Sequence, residues 1–467
     1  MDTPVYDFAR RYALSGTARC HMPGHKGSGP LGCEALDLTE IAGADALYEA
    51  SGIIAESERN AAALFGSAAT CYSAEGSSQC IRAMLALALM LWRERGGTGR
   101  PVILAARNAH KVFVLTAALL DFDIRWLWPE DETFSLCRCT VTERQVRTAL
   151  AAMDRPPAAV YVTSPDYLGG MLDIAAIAGA AHSAGVPLLV DNAHGAYLRF
   201  LPQPLHPLEL GADLCCDSAH KTLPVLTGGA YLHAGRNAPP ELTAGMKDAL
   251  ALFGSTSPSY LILESLDLCN AALAGELPRR LEECAARLDK TRRLLRRRGW
   301  SVLETDPLKL TVSAAGSGWQ GPELAQRLRA HGVECEYADP DFLVMMITPC
   351  NTESDFLRLE SAFSAISPGS PLKPFLSPLT PPAVGCSVRE AVFAPRETIS
   401  AEEAAGRILA APTVACPPAV PVVVSGEVIG PDALPLFRHY HIRRVEVIRP
   451  PRIQTAPLPE RRSGKPQ

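Results

Sequence analysis

Between residues 37 and 229 short unbroken apolar runs alternate with helix-like stretches, and that alternation restricts the chain to few folds. The runs are Val102-Ile103-Leu104-Ala105, Ala159-Val160-Tyr161-Val162, Pro187-Leu188-Leu189-Val190 and Ala212-Asp213-Leu214-Cys215-Cys216. Residues 53–65, 78–92 and 174–184 carry helical periodicity between them, the second apolar nearly all round. Strands that are apolar at successive positions, instead of alternating, are buried on both faces, which requires a mostly parallel sheet covered by helices. An α/β fold follows. Its polar residues collect just past the runs, at His110, Ser164, Asp191 and Lys221. Open α/β sheets bind ligands at that carboxyl edge.

After Gly229 the pattern changes. Residues 256–268 and 277–298 read as helices, 308–312 and 342–347 as strands, and 322–332 as a helix between those strands. A smaller α+β domain is expected there, since 467 residues exceed one compact core. Residues 367–382 are rich in Pro and Ser and read as a connection. Further on, 401–409 reads as a helix and 422–424 as a strand, and the Pro- and Arg-rich tail reads as disordered. The expected division is an N-terminal segment 1–36, a large domain 37–275, a small domain 276–366, a linker 367–385, a C-terminal domain 386–449 and a tail 450–467.

A formal net charge of −5 argues against a nucleic-acid partner. The basic run Arg292-Arg293-Leu294-Leu295-Arg296-Arg297-Arg298 prolongs a stripe of Leu277, Leu281, Leu288 and Leu295, so it reads as the exposed face of a long helix. The longest apolar stretch, 83–92, is short of the roughly 20 residues that span a bilayer, so no membrane partner is expected. Nothing at the N-terminus resembles a signal peptide, so the fourteen cysteines are expected as reduced thiols in a cytoplasm. Cys137-Arg138-Cys139 and Cys215-Cys216 lack zinc-site spacing, and no metal is expected.

The chemistry concentrates in Asp191-Asn192-Ala193-His194-Gly195 and Ser218-Ala219-His220-Lys221. A carboxylate ending one strand and a lysine beside Ser and His ending the next suit a pyridoxal phosphate ring. Asp191 would pair with the protonated ring nitrogen, Lys221 would form a Schiff base with the aldehyde, and Ser218 and His220 would reach the phosphate. A capping Asp and an unrelated surface Lys are the alternative. Gly76-Ser77-Ser78 precedes a buried helix, and amides at a helix N-terminus cradle phosphate; the same triplet also caps helices that bind nothing. His110 is placed to stack on the ring.

These residues, with Arg19-Cys20-His21-Met22-Pro23-Gly24-His25-Lys26-Gly27, Asp37-Leu38-Thr39-Glu40, Thr222-Leu223 after the lysine and Ser255-Thr256-Ser257-Pro258-Ser259-Tyr260, resemble the Orn/Lys/Arg decarboxylase family. Ala404-Ala405-Gly406-Arg407-Ile408, Cys416-Pro417-Pro418 and Ser425-Gly426-Glu427 resemble its C-terminal domain. The resemblance implies a pyridoxal-phosphate enzyme of the aspartate-aminotransferase fold (fold type I), in the short form without the N-terminal receiver-like wing. It implies Lys221 as the Schiff-base lysine, Asp191 at the ring nitrogen, His110 on the ring, Gly76, Ser77, Ser78, Ser218 and His220 at the phosphate, and His194 near cofactor and substrate. Ser257 to Tyr260 would approach the phosphate of a neighbouring subunit, making a homodimer, or a higher homo-oligomer, the active unit. The chain departs from the family pattern at Gly76-Ser77-Ser78, Thr227-Gly228-Gly229, Asp166 and Glu264.

The activity implied is decarboxylation of arginine, lysine or ornithine through an external aldimine, with Lys221 or His194 returning a proton to the α-carbon. An aminotransferase of the same fold is the nearest rival. Such enzymes grip the substrate carboxylate with an arginine, and Thr348-Pro349-Cys350-Asn351 after the last strand contains none. A silent regulatory homologue is a further rival, opposed by the intact Asp191, His220 and Lys221. Glu49, Asp166 and Glu264 are candidate carboxylates for a distal cation, with a surface or structural charge as the commoner role of each.

Overall fold

A computed structural model describes residues 1–129, 135, 137–373, 375, 380–411 and 421–450. Helices α1 (Pro4–Leu14) and α2 (Ile53–Phe65) precede strand β1 (Ala69–Ser73). Then α3 (Gly76–Glu94), β2 (Val102–Ala106), α4 (Lys111–Leu120), β3 (Asp123–Leu127), α5 (Glu143–Ala151), β4 (Ala159–Thr163), α6 (Ile174–Ser183) and β5 (Leu188–Asp191) alternate. Strand β6 (Leu214–Asp217), the short helix α7 (Ala219–Thr222) and β7 (Ala230–Ala234) complete a seven-stranded sheet of order β1-β7-β6-β5-β4-β2-β3. Strands β3, β2, β4, β5 and β6 pair in parallel, while β7 runs antiparallel to both β6 and β1.

Burial explains the apolar runs. Every residue of β5, β6 and β7 is buried, as two covered faces demand. Strand β3 (Asp-Ile-Arg-Trp-Leu) lies at the sheet edge, with an exposed–intermediate alternation that the sequence pattern did not single out. Helix α3 buries residues around most of its circumference against the sheet. Cys71, Cys80, Cys137, Cys139, Cys215, Cys216, Cys269 and Cys284 are buried free thiols packed as small hydrophobes.

Helices α8 (Pro240–Ala244), α9 (Met246–Ala251), α10 (Tyr260–Ala274) and α11 (Leu277–Arg297) lead out of the sheet. The expected start of α10 at residue 256 is four residues early. Pro258 disfavours helical geometry at Ser257, and Ser259 is still extended. Along α11, Leu277, Leu281, Leu288 and Leu295 are all buried. Arg292 corrects the reading of the basic run as an exposed face: it is 7% exposed, and its Nη2 donates to the carbonyls of Asp306 (2.8 Å) and Pro307 (3.2 Å) and to the Thr305 hydroxyl (3.1 Å). It stands four residues after Leu288 and three before Leu295, on the buried stripe itself. Strands β8 (Lys309–Ser313), β9 (Tyr337–Ala338) and β10 (Phe342–Met346) form an antiparallel sheet of order β8-β10-β9, with α12 (Gly321–Ala330) and α13 (Glu353–Ala365) packed in the same unit.

The C-terminal segment differs most from its reading. It contains α14 (Val388–Phe393), β11 (Arg396–Ser400), α15 (Ala433–His439) and β12 (Arg444–Ile448), with β11 and β12 paired antiparallel. The helix expected over 401–409 is one 3-10 turn, Ala401–Glu403. Gly406 follows at φ +79°, a left-handed conformation that ends any helix, and Ile408 and Leu409 make bridges to Val428 and Val447. Val422, Val423 and Val424 are buried, but they form no strand, because the Val424 amide donates to the Glu427 side chain. Cys416-Pro417-Pro418, residues 451–467 of the expected tail and parts of the expected linker lie outside the described residues.

Candidate active site

The carboxyl ends of β2, β4, β5 and β6, with the turn from β1 into α3, enclose a cavity of about 340 Å³. All nine expected site residues line it: Gly76, Ser77, Ser78, His110, Asp191, His194, Ser218, His220 and Lys221. Strand order explains the convergence, because β5 and β6 are neighbours and deliver Asp191 and Ser218 side by side. A wider cleft of about 540 Å³ opens at the opposite sheet edge among Gly66, Arg199 and Arg236, away from these groups.

At one end of the cavity the Ser218 hydroxyl donates to Ser77 Oγ (2.8 Å), while His220 Nδ1 lies 2.9 Å from the Gly229 carbonyl. Gly76 opens α3 at φ +72°, and a Cβ there would enter the space beside the His220 ring. Its amide donates to the Gly228 carbonyl (2.7 Å), which fixes the loop. At the other end Asp191, 2% exposed, accepts from the Tyr161 hydroxyl (3.1 Å) and the Ala193 amide (3.2 Å). Between them Lys221 Nζ lies 3.0 Å from His194 Nε2. Burial lowers the Lys221 ammonium below the ordinary lysine range, against the pull of Asp191 and then Glu336. Burial, reinforced by Lys221, pushes His194 well below its ordinary value. His110 caps α4, its Nδ1 accepting from the Val112 amide (3.2 Å), and burial lowers it too, with Asp191 opposing.

The structure brings in residues that the sequence reading passed over. Asn108 and Thr163 line the cavity, and the Asn108 amide, Thr163 Oγ1 and His194 Nδ1 are buried without a partner. Buried polar atoms are ordinarily paired, so a pocket edged with unpaired ones is shaped for a polar ligand. Pyridoxal phosphate fits this donor set, with hydroxyls, an imidazole and a helix N-terminus for its phosphate, an anion for its ring nitrogen and an amine for its aldehyde. Tyr167, which lines the cavity, lays its ring edge on His194 (4.9 Å) and donates to Glu336 Oε1 (2.6 Å). Only proximity in the fold identifies Glu336; Asn108, two residues before His110, could have been noticed in the polar turn after β2.

One expectation is corrected. Glu49, Asp166 and Glu264 do not line the cavity; Asp166 Oδ1 is engaged by the Gly170 amide (2.7 Å), and Glu264 is buried on α10. The Tyr260 hydroxyl donates to the Asp45 carbonyl (2.6 Å). Cys215 lies with His206 and Asp217 in a group of possible metal ligands. The His206 and Asp217 atoms of that group are engaged in hydrogen bonds. Asp217 accepts from His206 Nε2 (3.0 Å), His233 Nε2 (3.2 Å) and Asn192 Nδ2 (2.6 Å). Burial alone would raise this carboxyl, but His206 and then His233 hold it far below the usual range. No helix among the described residues is long and apolar enough to cross a membrane.

Comparison with known proteins agrees with this geometry. The family described as "Orn/Lys/Arg decarboxylase, major domain" matches residues 3–305. An arginine decarboxylase of Bacillus subtilis is 28% identical over 460 residues, covering 92% of this chain and 91% of the relative. One from Bacillus anthracis is 27% identical over 469 residues, covering 94% and 92%. The lysine decarboxylase of Francisella novicida superposes with a TM-score of 0.78 at 16% identity, covering 96% of this chain and 81% of the other, a likeness of fold. The chain belongs to the Orn/Lys/Arg decarboxylase family, whose members are pyridoxal-phosphate-dependent amino-acid decarboxylases.

Proposed function

We propose that this chain, as a homodimer in the cytoplasm, decarboxylates a basic amino acid with pyridoxal phosphate held by the nine residues above. The observation that carries the reading is that Lys221, Asp191 and the Ser77–Ser218 pair face one cavity. When bound, the cofactor supplies an electron sink for the pair left behind as CO2 departs. Asp191 would keep its ring nitrogen protonated, since a buried carboxylate favours the cation beside it. Burial that lowers the Lys221 ammonium favours its free amine, the form that acts as a nucleophile. Lys221 Nζ and His194 Nε2 form the hydrogen-bonded pair from which a proton can return to the α-carbon.

Two further features support the reaction and the substrate class. Among the described residues no arginine lines the cavity, so the substrate carboxylate meets no guanidinium clamp that would stabilise the group to be expelled. Glu336 is exposed, is held by Tyr167 of the cavity wall and acts electrostatically on Lys221, which makes it the candidate carboxylate for a distal cation. Relatives named arginine decarboxylase put arginine first among substrates to try.

The test incubates the purified protein with arginine, lysine or ornithine and follows CO2 and keto acid together. The expected outcome is CO2 with the corresponding amine from one of the three, abolished in Lys221→Ala. Keto acid without CO2 would establish transamination instead, and a protein that takes up no pyridoxal phosphate would remove the cofactor.

A further inference from the structure

We propose that the buried ion pair between Arg107 and Glu427 is a positioning device, by which the C-terminal segment fixes Asn108 and His110 against the bound cofactor. Arg107 is the residue after β2, and its side chain is wholly buried. Its Nη1 donates to Glu427 Oε1 (2.7 Å) and its Nη2 to Oε2 (2.8 Å), a two-pronged contact across 320 residues of sequence. The guanidinium carbon lies 4.8 Å from the Trp126 ring centroid and 4.5 Å from that of Trp128. Glu427 is pinned in turn, because Oε2 also accepts from the Val424 amide (2.8 Å). The Arg107 amide donates to the Leu127 carbonyl (3.0 Å).

Side chain and backbone of Arg107 are thus both held, and the next residue is Asn108, whose unpaired amide faces the cavity. His110 follows after the fully buried Ala109. A buried pair of this kind gains little stability over apolar side chains of similar volume, because desolvation offsets the attraction. What apolar side chains lack is direction. Two donors meeting two acceptors admit one guanidinium orientation, and with it one course for the turn that carries Asn108 and His110.

The inference rests on the reading of the cavity as a cofactor site. Its test titrates the full-length apo-protein with pyridoxal phosphate by absorbance and measures thermal unfolding without cofactor. Native protein, the double variant Arg107→Met with Glu427→Met, and Glu427→Asp are compared. The double variant removes the pair without stranding a charge, so its unfolding temperature should fall by no more than the loss of the Val424 amide bond explains, while its cofactor dissociation constant rises roughly tenfold or more. Glu427→Asp keeps the charge but withdraws it by one methylene, and should also weaken the cofactor. Affinity within about twofold of native in whichever variant folds would overturn the proposal and leave the cofactor site intact. Native protein that binds no pyridoxal phosphate would overturn both.

Discussion

Glu264 sits in surroundings that oppose its charge more than those of most carboxylates in the chain. It is 3% exposed, Oε1 has no partner, and burial, then Asp37 and Asp267, raise its carboxyl to about 8. An unfolded chain releases that proton at about pH 4.3, so between there and about pH 8 the folded state binds more protons. The Glu264 contribution is therefore complete below pH 4 or so and declines as pH rises through that window. Glu264→Gln should flatten this slope and stabilise the protein by about 1–2 kcal/mol above pH 8, read as a difference in unfolding temperature that grows from acid to alkaline buffer. An equal difference at both ends would refute the assignment. At this scale the sequence is legible where residue type alone specifies the chemistry. Asp191 and Lys221 stand out because few side chains can serve a pyridinium and an aldehyde. Asn108, Glu336 and Arg292 do not, because an amide, a surface carboxylate and one arginine among five acquire meaning only from what they face.

Among the elements, the turn joining β1 to α3 depends on a second turn, the one before β7. Gly228 has φ +102°, and a Cβ there would lie 2.9 Å from the Ala74 carbonyl oxygen, a backbone atom that cannot swing aside. Its own carbonyl receives the Gly76 amide. Gly228→Ala should cost roughly 1–3 kcal/mol of stability and loosen the Ser77–Ser218 end of the cavity, giving a lower unfolding temperature and, on the proposed function, weaker uptake of pyridoxal phosphate. An unchanged unfolding temperature would contradict the strain. Elements were readable wherever burial wrote a simple pattern, as in β4, β5 and the leucine stripe of α11. They were unreadable where strands are short, charged and marginal to a sheet, as β3 and β11 are, because alternation with Arg and Glu resembles a surface loop. The stretch 401–409 shows the converse: a helix-like composition yields to Gly406 and to bridges with distant residues.

For the whole molecule, the sequence conveyed a parallel sheet with chemistry at one edge. It did not convey that the C-terminal segment returns to the ends of β2 and β3, since that contact joins residues 320 apart and leaves no local periodicity. The distribution of thiols over this architecture has a further use. Cys20 and Cys350 are exposed, whereas eight others are buried, six of them in strands and helices and Cys137 and Cys139 in the connection between β3 and α5. Burial raises those of Cys139 and Cys284 to about 11, so little thiolate forms at neutral pH. A maleimide dye should modify Cys20 and Cys350 first under native conditions and all fourteen cysteines after denaturation, counted by mass. Rapid native labelling of Cys215 or Cys216 would contradict the packing. At intermediate denaturant the order in which the remaining sites become reactive would map, without any engineered probe, which layer loosens first and which is last to admit solvent.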